Sequence, residues 1–109
     1  MVLVVCDGHG GSACSTYAHK ALARALETRC GEAVASADAT TGPSGALLTT
    51  ALGHAVIDVE KAWCSQGRRR RDPSGCCLAA LLISGTDLVC CWWVLSLNAC
   101  SQNVSPDRR

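Results

Sequence analysis

The chain has 109 residues, room for one small domain, and its 49% apolar and 17% charged residues make a globular rather than a disordered composition. A net charge of +1 excludes partner choice by bulk electrostatics, as in a strongly basic nucleic-acid binder or a strongly acidic chain. Phe is absent, so the core must rest on Leu, Val, Ala and Cys, and with few large rings to fill space a marginal stability is expected.

Met1 to Cys6 is a short Val-rich apolar run and predicts a buried strand. Asp7-Gly8-His9-Gly10-Gly11 follows as a turn-forming cluster, and Ser12 is placed to cap a helix. Cys14, Tyr17, Ala18, Ala21, Leu22, Ala25 and Leu26 recur at helical spacing for about four turns, with Gly31 as the expected stop. Ser36 to Gly45 has loop composition. A second amphipathic helix is predicted from Leu48, Ala51, Leu52, Ala55, Val56, Val59 and Trp63, ending near Gly67.

Arg68, Arg69, Arg70 and Arg71 then form one basic block. It reads first as a solvated loop and second as a contact for a phosphoprotein. With no aromatic residues interleaved, nucleic acid is not the expected partner. Asp72-Pro73-Ser74-Gly75 is a turn. Two apolar runs, Cys76 to Ile83 and Leu88 to Leu95, flank Ser84-Gly85-Thr86-Asp87 and predict a β-hairpin. A membrane span is the rival for this stretch, but Asp87 and a glycine turn would fall at its centre, where a charge costs about 2.5–3.5 kcal/mol. Trp92 and Trp93, adjacent on a strand, must face opposite sides. The tail 98–109 is polar and expected to be disordered. The order strand, helix, helix, strand, strand suits helices packed on one face of an antiparallel sheet, an α+β fold.

Nine cysteines cannot all pair within the chain. Several sit inside apolar runs, and no basic start precedes the apolar segment that Asp7 ends. The expected setting is therefore reducing and cytoplasmic, or also nuclear, with free thiols; a disulfide scaffold is the alternative, and zinc is not expected without a C-x-x-C pair. His19 and His54 fall in the helical patterns and read as surface or boundary histidines.

The D-G-H-G-G segment carries the most chemistry. Asp7 ends a strand and offers an ionised carboxylate to a turn; glycines let the backbone approach a ligand; and the Gly8 carbonyl can serve as a second oxygen ligand. Carboxylate plus carbonyl oxygen suits a hard cation such as Mg²⁺ or Mn²⁺. His9 beside them could donate a proton to a leaving oxygen, and the N–H groups of the following helix favour an anion such as phosphate. A plain strand-to-helix turn would have the same composition. The spacing excludes a P-loop and fits a dinucleotide fingerprint poorly. A cysteine-phosphatase loop would need Cys before the glycines and Arg after them, the reverse of the order at Cys14.

Val4-Val5-Cys6-Asp7-Gly8-His9-Gly10-Gly11 with its Ala-rich helix resembles the V-F-D-G-H-G-G signature of the type-2C metal-dependent (PPM) serine/threonine protein phosphatases. Asp72-Pro73-Ser74-Gly75-Cys76-Cys77-Leu78-Ala79-Ala80-Leu81-Leu82-Ile83 resembles the family's D-x-S-G-(T/C)-T-A-x-x-A-L-I strand. The resemblance implies a central β-sandwich flanked by helices, in which two Mg²⁺ or Mn²⁺ ions activate a water that attacks phosphoserine or phosphothreonine. It implies Asp7 as a bridging metal ligand, the Gly8 carbonyl as a second, and His9 as the general acid.

Departures from the pattern are as informative. No R-x-x-M-E-D-like strand precedes Met1, only Ser96 remains of the later G-D-S-R, and the downstream D-G and D-N aspartates are missing. The expectation is a partial phosphatase domain over 1–97, truncated at both ends: part of a β-sandwich with two antiparallel helices on one sheet, inactive alone. The alternative is a non-catalytic pseudophosphatase or protein-binding module that uses the arginine block. In either case the uncovered sheet surface would be an aggregation hazard.

Overall fold

The computed structural model describes residues 1–38, 40 and 42–95, apart from the side chains of 67–70. The expected disordered tail, 98–109, lies outside the described residues, as do Ser96 and the side chains of Arg68, Arg69 and Arg70. The elements run β1 (Val2–His9), α1 (Ala13–Ser36), α2 (Gly45–Arg70), β2 (Gly75–Ser84) and β3 (Asp87–Leu95). The strands form one antiparallel sheet in the order β1-β2-β3. This is the α+β arrangement the element order predicts, with α1 lying over β1 and β2 and α2 over β3. No described helix is long and apolar enough to cross a membrane.

Strand alternation sorts the sheet into two faces. Val4, Cys6, Cys76, Leu78, Ala80, Leu82, Trp93 and Leu95 point toward the helices and are buried or half-buried. They meet Cys14, Ala18, Leu22 and Leu26 of α1 and Leu52, Ala55, Val56, Val59 and Trp63 of α2, the residues that the helical periodicity selects. Trp63 is the largest fully buried side chain, its ring tilted against Tyr17 at 5.6 Å between centroids. The other face of the sheet carries Leu3, Val5, Leu88, Trp92 and Val94, all exposed, with Asp7 among them. The two tryptophans therefore divide as alternation requires, Trp93 at 9% exposure and Trp92 at 49%.

Several boundaries differ from the sequence expectation. Helix α1 passes through Gly31 to Ser36, because Ala33 beyond it is buried and Ser36 Oγ donates to the Glu32 carbonyl at 2.9 Å. It ends where Ala37 turns extended. Helix α2 passes Gly67 and stops only where Arg71 takes a left-handed φ of 52°. Its start is capped by Ser44, whose Oγ accepts the Leu47 N–H at 3.2 Å. The β2–β3 turn closes in two residues, Gly85 and Thr86, with φ of 59° at Gly85 alone, the type II′ pattern suited to strand twist. A part-buried ion pair joins the helices: Arg29 donates to both carboxylate oxygens of Asp58, at 2.8 and 3.0 Å, and holds that carboxyl below its ordinary value. Among the described residues, free thiols are found at Cys6, Cys14, Cys30, Cys76, Cys77, Cys90 and Cys91.

Ser12 occupies the N-cap of α1, but its side chain makes no capping bond. The cap comes from a distant residue: the Cys14 N–H donates to Ser74 Oγ at 3.0 Å, and Ser74 is 1% exposed. Ser74→Ala should therefore orphan a buried N–H and lower unfolding stability by about 1–2 kcal/mol. Ser12→Ala should change it far less. Urea denaturation of the two variants checks the contrast.

Candidate functional site

Strand β1 does not end at Cys6. It continues through Asp7 and Gly8 to His9, each paired with β2: Asp7 with Cys77, Gly8 with Cys76, His9 with Gly75. The expected turn is thus confined to Gly10, Gly11 and Ser12. Gly10 and Gly11 adopt φ of 67° and 122°, which L side chains rarely adopt, while Gly8 stays in the ladder with no such requirement.

The ladder fixes where the Gly8 carbonyl points. Met1 and Ile83 exchange both backbone hydrogen bonds, at 2.9 and 2.8 Å. In an antiparallel pair such exchanges alternate, so Leu3, Val5, Asp7 and His9 bond to β2, whereas the N–H and C=O groups of Val2, Val4, Cys6 and Gly8 point away from it. The Gly8 oxygen is therefore directed to the open edge of the sheet. Asp7 and His9 share the outer face by strand alternation, and both are exposed.

The two segments singled out in the sequence are one contact surface. A Cβ on Gly10 would lie 3.4 Å from the Pro73 carbonyl oxygen, and one on Gly11 would lie 3.5 Å from Ser74 Cβ. Ser74 is held in turn by its own N–H, which donates to Asp72 Oδ1 at 2.8 Å in an Asx-type turn. His9 lies across from Gly75, where an added Cβ would meet His9 Nε2 and the Leu95 carbonyl oxygen, each at 2.6 Å. On the other side of the loop, a Cβ on Gly8 would fall 2.7 Å from Ser15 Oγ. Gly8 and Gly75 are thus the tight spacing elements of this junction, whereas Gly10 and Gly11 are required by their positive φ and meet the turn at ordinary van der Waals distance.

Beneath this junction three thiols converge. Burial pushes the Cys76, Cys14 and Cys6 thiols up, and Cys76 shares hydrogen bonding with both of the others. They are protonated packing groups at neutral pH, and Cys14 is no thiolate nucleophile although it stands in the first turn of α1.

Among the described residues no group of three or more His, Cys, Asp or Glu side chains is arranged to hold a metal ion. Asp7 and the Gly8 oxygen remain as two neighbouring oxygen donors, and Arg71 of the basic block is exposed, with the side chains of 68–70 outside the described residues. Ser74 has no place in the sequence-predicted site. The D-x-S spacing signals its local turn, but its capping of α1 spans 60 residues and leaves no local trace.

Gly75→Ala should force the His9 ring and the Leu95 carbonyl apart and destabilise the fold by about 2–3 kcal/mol, read as a fall in thermal midpoint. Gly53→Ala, at a helical position with open space around it, should be neutral or stabilising in the same assay. Compared with known proteins, the chain matches no family model and no curated protein.

Proposed function

We propose that the chain carries one corner of a metal-dependent phosphoester-hydrolase centre of the type-2C kind, acting on phosphoserine or phosphothreonine in proteins. In this reading Asp7 and the Gly8 carbonyl are ligands for Mg²⁺ or Mn²⁺, and His9 stands beside them to protonate the leaving oxygen. The observation that carries it is the meeting of the two motif segments: Gly10 and Gly11 against Pro73 and Ser74, and His9 against Gly75. The outward-directed Gly8 oxygen next to an exposed carboxylate is a further support.

The donor set is short of what the metal requires. Mg²⁺ takes six oxygen ligands in near-octahedral geometry, and the described residues supply one carboxylate and one carbonyl oxygen. They do not fill a two-metal centre, and no catalytic step is assigned to them. The expected outcome is weak Mn²⁺ binding by the isolated chain, seen by titration with electron paramagnetic resonance, and aryl-phosphate turnover near background. Asp7→Ala should abolish the binding. Binding that persists in Asp7→Ala would remove the reading. Strong Mn²⁺-dependent turnover lost in that variant would keep the family and refute the inactivity.

A second reading, a non-catalytic module for a phosphorylated partner, is favoured by one surface. Lys20 and Arg24 of α1 line a concavity of about 750 Å³ with Ser12, Thr16 and Gln66, at the end of α2 that leads into the arginine block. Replacing Arg68, Arg69, Arg70 and Arg71 by Gln should then abolish capture of an immobilised phosphopeptide while Asp7→Ala leaves it intact. Capture indifferent to the arginines would rule this module out.

A further inference from the structure

We propose that β1 and α1 form the interface of a two-fold dimer, in which two copies of this chain join their sheets edge to edge through β1. The edge itself specifies a strand as occupant. The N–H and C=O groups of Val2, Val4, Cys6 and Gly8 point away from β2, and β1 is the outer strand of the sheet. From Val2 to Cys6 this edge carries no charge, no proline and no break in its pairing register with β2, so none of these three deterrents to strand addition is present there.

The groove beside that edge specifies a second copy. It encloses about 480 Å³, with Val2, Val4 and Leu82 as its floor and His19, Ala23 and Glu27 on its helical bank. Antiparallel pairing centred on Val4 sets Val4 against the second copy's Val4 and Val2 against its Cys6. The outward groups of Val2, Val4 and Cys6 then find partners, and those of Gly8 stay free for the loop. Helix α1 is compatible with the same axis. The path along β1 from His9 back to Val4 is about 17 Å, and the path along α1 from Ala13 to Ala23 is about 15 Å. Ala23 therefore stands level with Val4. Because α1 lies over β1 and β2, the two copies of α1 would run about 10 Å apart, a normal helix-packing distance.

At that spacing the side chains around the axis are complementary. Ala23 is exposed and small, and permits the close approach. His19 and Glu27, also exposed, lie equally far to either side of it, so that each His19 meets the second copy's Glu27. The result is a six-stranded sheet under four helices, with the apolar groove closed by its own copy.

Sedimentation equilibrium of the full chain tests this, with an expected mass twice 11.3 kDa. Val4→Pro removes an N–H that points to the edge and should give a folded monomer, whereas Val5→Pro removes a bond to β2 and should unfold the chain. Ala23→Glu, on an exposed helical position, should also give a folded monomer by circular dichroism. His19→Glu should weaken the dimer at least tenfold, and His19→Glu with Glu27→Lys should restore it. A monomer at every concentration, including one that takes up an extended apolar peptide along β1, overturns the proposal. So does a dimer indifferent to Ala23→Glu, which would be held by the outer sheet face, or a charge exchange that fails to restore association.

Discussion

The hydrogen bond from the Cys14 N–H to Ser74 Oγ joins the beginning of the first helix to the beginning of the second strand. Everything near the candidate site is arranged around it. Gly10 and Gly11, whose positive φ favours glycine, pack against Pro73 and Ser74, and Asp72 fixes Ser74 by accepting its N–H. A helix N-terminus leaves N–H groups without intrahelical partners, and burying one without an acceptor costs about 1–3 kcal/mol. Ser12 is in sequence position to help and does not. The chain meets the requirement through tertiary structure, and in doing so brings together two segments that the sequence keeps far apart.

Legibility followed the range of the interaction. The element order, the helical core residues and the opposite faces of Trp92 and Trp93 could be read because periodicity is local and each helix buries a single stripe. Gly31 and Gly67 read as helix ends by composition, but an isolated glycine loses only about 1 kcal/mol in a helix, which beyond Gly31 the burial of Ala33 outweighs. The full length of β1 is not legible locally, because Asp7 and Gly8 resemble a turn by composition, while their pairing with Cys77 and Cys76 depends on residues far along the chain. Asp7, Gly8 and His9 could be named as a group from their motif. The direction of the Gly8 carbonyl could not, since it is set by the phase of a ladder that starts at Met1 and Ile83.

The position of Asp7 joins fold to chemistry. Its carboxylate stands on the outer sheet face among Leu3, Val5, Trp92 and Val94, a largely apolar and exposed surface. In water a lone carboxylate is well solvated and has little cause to hold a hard cation tightly. Covering such a surface would lower the dielectric around the carboxylate and strengthen its attraction for a cation, provided further oxygen donors came with the cover. The weak cation binding proposed for this chain and the exposure of its outer face would thus have a common physical origin.

Strand β2 has apolar residues on both faces, and β3 does so over most of its length. In most half-buried sheets, sliding one strand by a single residue would expose its greasy side, and that penalty holds the alignment. Here a shifted β3 would still present Leu88, Cys90, Trp92 and Val94 to the helices, so hydrophobicity discriminates weakly between frames. Alignment must be enforced by the tight reversal at Gly85 and by the crowding at Gly75, which tolerates only one placement of Leu95. Two residues without side chains thereby act as the molecule's proofreading against mispaired strands.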